Sequence, residues 1–184
     1  MDSITVMGVD PSSNYVGISL LEIDLKTMEL ISVETHLIDL TIFVNTNVLL
    51  DNLTFRLNIL SVLFSRFLNE YSPEFVCCES GFINRLRPAA VIPLASAIAL
   101  MRNCLNRFDP ISVLDLYPPT VVKNAVGAKG NADKDGVELA VKNHIELKHL
   151  LDTKTISEHE VDATAVGMCK VREIRNNEIL LLIN

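Results

Sequence analysis

Hydrophobic and polar positions along the chain fall into three short apolar stretches, followed by helix-like and strand-like stretches in alternation. Residues 4–9, 15–22 and 29–38 alternate or run apolar between turn signals, as three strands joined by short turns would. Leu53, Leu57, Leu60, Phe64, Phe67 and Leu68 recur at helical spacing. They predict a helix capped by Asn52 or Thr54, running to about Glu70 and stopped by Tyr71-Ser72-Pro73. Residues 74–79 predict a fourth strand and residues 111–116 a fifth. Between them Pro88 opens a helix to about Arg107, with Pro93 in its first turns, where a missing N–H is tolerated. Ala89, Ala90, Ala95, Ala97 and Ala99 make that helix narrow enough for close packing. Residues 127–131 read as a loop, Asp133 or Asp135 as the cap of a helix to about His149, and a last long helix starts near Ser157. Strands first, then helix and strand in turn, predict an α/β fold: a mixed five-stranded sheet with helices on both faces. No linker, repeat or low-complexity stretch interrupts the 184 residues, so one domain over 1–184 is expected, burying about 70% of its unfolded surface.

Two predicted strands end on acids. Asp10 closes the apolar run Ile4-Thr5-Val6-Met7-Gly8-Val9, and Glu79 closes Phe75-Val76-Cys77-Cys78. His159 and Asp162, three apart at the start of the last helix, share a helical face. Taken singly, each is an ordinary strand-end or helix-cap residue. A buried charge without a partner is costly, however, and three carboxylates with an imidazole would repel one another unless they held cations. An oxygen-rich site of this kind suits Mg²⁺ or Mn²⁺.

Composition narrows the setting. Apolar residues make up 49% of the chain and Trp is absent, so the core rests on Leu, Ile and Val. Charges and prolines break the apolar runs well short of the ~18 residues needed to cross a bilayer. The N-terminus enters a strand rather than a basic, then apolar, leader. Cys77, Cys78, Cys104 and Cys169 lack metal-ligand spacing and read as reduced core cysteines of a cytoplasmic protein. The net charge of −7 argues against a DNA-binding role, but phosphates respond to the local field. Asp24, Glu29, Glu34, Asp39 and Asp51 concentrate negative charge early, whereas Lys123, Lys129, Lys134, Lys142, Lys148 and Lys154 cluster late and Arg85 and Arg87 follow Glu79. A run of this kind is ordinarily a solvated face; here it flanks the candidate chemistry.

Four segments, in order, resemble the RuvC family of Holliday-junction resolvases. They are Gly8-Val9-Asp10-Pro11-Ser12-Ser13-Asn14-Tyr15-Val16-Gly17; Cys78-Glu79-Ser80-Gly81-Phe82; Lys123-Asn124-Ala125-Val126-Gly127 with Ala132-Asp133-Lys134-Asp135-Gly136-Val137; and His159-Glu160-Val161-Asp162-Ala163-Thr164-Ala165-Val166-Gly167. The resemblance covers residues 4 to about 170. The compact, divergent chain looks like a bacteriophage member, of the lactococcal phage type. The family implies a ribonuclease H-like fold, and phosphodiester hydrolysis at four-way junctions, with other branched DNA as a further candidate substrate, by two Mg²⁺ or Mn²⁺ ions about 4 Å apart.

On that resemblance Asp10 bridges the metals, Glu79 holds one, and Asp162 and His159 hold or position the other, with His159 assisting proton transfer. Many members carry Asp where this chain has His159, and imidazole is a poorer Mg²⁺ ligand than carboxylate, which favours Mn²⁺. Phe82, an aromatic three residues beyond Glu79, corresponds to a wedge between bases at the crossover, and as a sequence feature it reads equally as a core residue under its loop. Lys123 and Lys134 match lysines near the scissile phosphate; Arg85, Arg87 and Lys129 are further DNA-contact candidates. Two matching nicks imply a homodimer, with the Ala-rich helix as candidate interface. Glu158 and Glu160 read as solvated charges. Ser12 stands where the family usually has Gly. An actin-like ATPase would need glycine-rich phosphate loops and a longer chain, and a retired, non-catalytic DNA binder should have lost at least one of the four ligands.

Overall fold

The structure, a computed structural model, describes residues 3–46, 49–80, 91–151 and 155–183, with side chains to residue 177. Strands β1 (Ser3–Asp10), β2 (Tyr15–Asp24), β3 (Leu30–Asp39), β4 (Phe75–Glu79) and β5 (Leu114–Tyr117) form one sheet in the order β3-β2-β1-β4-β5. The pairs β1–β2 and β2–β3 are antiparallel, β1–β4 and β4–β5 parallel. The mixed five-stranded sheet is therefore the one the apolar pattern predicts.

Side chains alternate across a strand, and each face of this sheet carries its own core. On one face Met7, Val9, Ile18, Leu20 and Cys78 pack against α1 (Asn52–Tyr71) and α2 (Val91–Phe108). On the other, Val6, Leu21, Ile23 and Cys77 meet α3 (Pro119–Ala125), α4 (Lys134–Asn143), α5 (Lys148–Leu151) and α6 (Glu158–Ile183). Helices thus cover both faces. All four cysteines are buried and free. Among the described residues no helix is long and apolar enough to cross a membrane.

Several element boundaries differ from expectation for local reasons. Asp51, rather than Asn52 or Thr54, caps α1, accepting from the Thr54 N–H at 2.9 Å. Residues 88–90 lie outside the described residues, and Pro93 is the third residue of α2. The fifth strand is only four residues long, because the Asp109 carboxylate holds Ile111 and Ser112 in a turn. Helix α3 was not expected. Pro118-Pro119 looks like a breaker, but Pro at the first helical position is preorganised for it. Asp133 does cap α4. That helix stops at Asn143 rather than near His149, and the bend lets Leu147 and Leu151 enter the same core as Val137 and Val141.

Candidate active site

Alternation fixes the two strand-end acids. Val9 and Cys78 belong to the α1–α2 face, so Asp10 and Glu79, each one residue further, turn toward α6 at neighbouring strand ends. α6 lies unusually close to the sheet. A Cβ on Gly8 would sit 2.2 Å from the Ala163 carbonyl oxygen, and Ser19 Oγ donates to that same oxygen at 2.9 Å in a buried bond. Gly167 meets Leu21 from the helix side, where an added Cβ would be 2.4 Å from Cδ1.

The start of α6 is built by a capping box. Ser157 N–H donates to Glu160 Oε2 at 2.8 Å, and the Glu160 N–H returns a 3.3 Å bond to Ser157 Oγ. Glu160 is therefore a half-buried cap and not a solvated charge. One turn of this helix presents His159 and Asp162 to the acids.

His159 Nδ1 lies 2.6 Å from Asp10 Oδ2, both side chains about four-fifths buried (22% and 19% exposed). The hydrogen bond to Asp10 raises the His159 pKa, against the effect of burial. The Tyr15 ring stacks on the imidazole, centroids 5.6 Å apart and planes 19° from parallel. Burial, with repulsion from Asp10 and then Asp162, pushes the Glu79 carboxyl up to about 7; Lys123 offsets part of this. Burial, with repulsion from Asp10, pushes Asp162 to about 6.

Lys123 and Lys134 both reach the site but are differently engaged. Lys123 Nζ donates to the Ala132 carbonyl at 2.6 Å. Lys134 Nζ pairs at 2.8 Å with Glu158 Oε1, which also stands 3.8 Å from His159 Nε2. Glu158 is thus the partner of an expected phosphate-binding lysine, a relation across 24 positions that helical geometry alone does not show. Lys129 is exposed and forms no ion pair among the described residues. Lys142 pairs with Glu138 one turn away, as a solvated helix face does. Phe82, Arg85, Arg87 and Lys154 lie outside the described residues. Tyr15, Ser19, Glu158 and the Ser157–Glu160 box are the contributors that sequence reasoning missed; only the Ser-x-x-Glu spacing at 157–160 signals one of them in advance.

The donor set suits a hard divalent cation: carboxylates from β1, β4 and α6 crowd together, and burial and mutual repulsion make their ionisation costly without added positive charge. Among the described residues no three His, Cys, Asp or Glu side chains stand close enough to form a finished metal cage. The contact with Asp10 engages His159 Nδ1, so the imidazole would meet an ion through Nε2, whereas both Asp10 oxygens keep lone pairs for one.

Known proteins resemble this chain over most of its length. The Crossover junction endodeoxyribonuclease RuvC of Hydrogenovibrio crunogenus is 25% identical over 170 residues, covering 91% of this chain and 87% of that protein. The structure of Thermus thermophilus RuvC superposes with a TM-score of 0.69 at 21% identity, over 95% of this chain and 97% of that one. The same protein in complex with a Holliday junction substrate gives 0.65 at 19% identity, over 94% and 95%. These neighbours share the ribonuclease H-like fold. Residues 6–170 match the family model described as Crossover junction endodeoxyribonuclease RuvC, and the chain belongs to that family.

Proposed function

We propose that this chain is a structure-selective endonuclease that nicks four-way DNA junctions by hydrolysing a phosphodiester bond between β1, β4 and α6. The observation that carries the reading is the convergence of Asp10 and Glu79, at neighbouring strand ends, on the first turn of α6, where His159 bonds Asp10; burial, and then repulsion from Asp10, push the Glu79 and Asp162 carboxyls up to about 7 and 6. Membership of a family described by its junction-cleaving activity supports the same reading.

Asp10, Glu79, Asp162 and His159 are the proposed ligands of two Mg²⁺ or Mn²⁺ ions. Such ions, when bound, supply electrophilic stabilisation of the attacking and leaving oxygens. The protein's own groups do the rest. Asp10 and the Tyr15 ring orient the His159 imidazole, so that Nε2, 3.8 Å from Glu158 Oε1, is the nitrogen that would take a metal or a proton. Lys123, beside Glu79, and Lys134 neutralise charge that grows on the scissile phosphate. Phe82 as a wedge at the crossover, and Arg85, Arg87 and Lys129 as phosphate contacts, complete the proposed DNA surface. A junction's two-fold symmetry asks for two matching nicks, so the active form is proposed to be a homodimer of single nuclease domains. Ile92, Ala95 and Ala99, exposed on α2, make that helix the candidate interface. On the resemblance of its motifs to the lactococcal phage type, the chain is further proposed to be phage-encoded and to act in the host cytoplasm.

The deciding experiment is nicking of a labelled synthetic four-way junction with Mg²⁺, with Mn²⁺ and with EDTA. Paired nicks in the metal reactions alone are expected. An intact junction in all three would refute the reading.

A further inference from the structure

Resting on that junction-binding reading, we propose that Arg56 is a DNA-phosphate contact on the side of the site opposite the lysines. Lys123 and Lys134 stand on α3 and α4, which pack on one face of the sheet, whereas α1 packs on the other. Arg56, near the start of α1, donates through Nη1 to Asn14 Oδ1. Asn14 lies in the turn that leaves Asp10, and it is pinned there at two further points. Its N–H donates to Ser12 Oγ at 3.1 Å, and its carbonyl accepts from the Leu40 N–H at 2.8 Å. The guanidinium is therefore held against Asn14, itself four residues beyond Asp10 in the turn that leaves it, on the α1 side.

Arg56 forms no ion pair among the described residues. Asp51, five positions before it, is engaged as the α1 cap, accepting from the N–H and the hydroxyl of Thr54. One donation to Asn14 leaves most of the five guanidinium N–H groups for another acceptor. A phosphate diester fits: it is anionic, offers two oxygens to a planar fork, and carries no base identity. A strand crossing the Asp10–Glu79 mouth would then meet lysines on one flank and Arg56 on the other. Opposed cations of this kind give an acidic chain a local positive track for DNA.

The competing role is that Arg56 only braces the Asn14 turn, and substitution separates the two. Arg56→Gln keeps a donor for Asn14 and removes the charge; Arg56→Lys keeps the charge and loses the fork; Asn14→Ala removes the brace and keeps the guanidinium. Binding of a synthetic four-way junction is measured in EDTA across a salt series, with melting temperature followed in parallel. The expected result is that Arg56→Gln binds about 5- to 10-fold more weakly at low salt, with the slope of log K against log salt flattened by about 0.9. Arg56→Lys and Asn14→Ala should keep the parent slope. A parent slope in Arg56→Gln, or a flattened one in Arg56→Lys, would overturn the phosphate contact while leaving the junction reading in place. A parent protein that binds no junction would overturn both.

Discussion

A Cβ on Gly17 would lie 1.9 Å from the carbonyl oxygen of His159. The first turn of α6 therefore rests directly on the backbone of β2, and the imidazole reaches Asp10 because nothing but hydrogen separates the two segments. Gly17→Ala must push the helix N-terminus away, since the clash is with backbone and not with a side chain that could swing aside. Overpacking of this kind costs about 1–3 kcal/mol. The variant should unfold at lower urea and lose most of its nicking, because His159 and Asp162 move together. Parent-like values in both measurements would mean that α6 has slack the close approach denies.

Removing a ligand should stop cutting and spare binding. Asp10→Asn, Glu79→Gln and Asp162→Asn each delete charge with little change in shape, and loss of hydrolytic metal chemistry lowers rates by several orders of magnitude. Single-turnover nicking, with gel-shift binding alongside, tests this. Any of the three that cuts at the parent rate does not belong to the site.

His159 is the proposed ligand whose replacement should tell Mg²⁺ from Mn²⁺. His159→Asp restores an all-carboxylate set and should shift preference toward Mg²⁺, while His159→Ala should cut far more slowly with either ion. The ratio of rates in Mg²⁺ and Mn²⁺ is the readout. An alanine variant equal to the parent with both ions makes His159 a bystander.

Stability without metal should fall as pH rises. The Glu79 and Asp162 carboxyls titrate at about 7 and 6 in the folded chain, above the ordinary values of 4.5 and 3.8. Between those limits the folded state binds more protons than the unfolded one, so unfolding becomes easier with increasing pH. The raised His159 pKa acts with the same sign: its stabilisation is full below the ordinary 6.5 and is lost as pH passes the folded value. Melting temperature in EDTA should therefore drop from pH 4.5 through 7 and level off only once the folded values of Glu79 and His159 have been passed. Glu79→Gln should flatten that drop, and Mg²⁺ should raise the melting temperature most at the upper end. A melting temperature rising through this window would contradict the repulsion among the carboxylates.

Lys134 pairs with Glu158 and is the proposed holder of a phosphate. The ion pair is largely exposed, and exposed pairs contribute about 0–1 kcal/mol, so a phosphate would displace Glu158 at little cost. Lys134→Ala should flatten the salt dependence of junction binding by about 0.9. Glu158→Gln should tighten binding a few-fold, and only when Lys134 is present. Equal tightening in a Lys134→Ala background would show that Glu158 acts through general charge instead.

The sequence by itself determined the sheet and the identity of the crowded acids. Alternating apolar runs need a two-sided cover, and Asp10 and Glu79 end two such runs one residue past core positions, so their placement follows from a period of two. The His159–Asp162 spacing likewise fixes a shared helical face. Helix α3 stayed hidden because Pro118-Pro119 is compatible with both a break and a start, and α4's early stop because only the packing of Leu147 and Leu151 makes the bend favourable. Tertiary structure alone decided the contacts that cross the chain: His159 with Asp10, Tyr15 against the imidazole, Lys134 with Glu158, Arg56 with Asn14. Each joins residues from different elements, and their distances are set by how closely α6 and α1 settle on the sheet. That closeness depends on Gly8, Gly17 and Gly167 and on the buried Ser19 bond, which a linear pattern of apolar and polar positions does not encode.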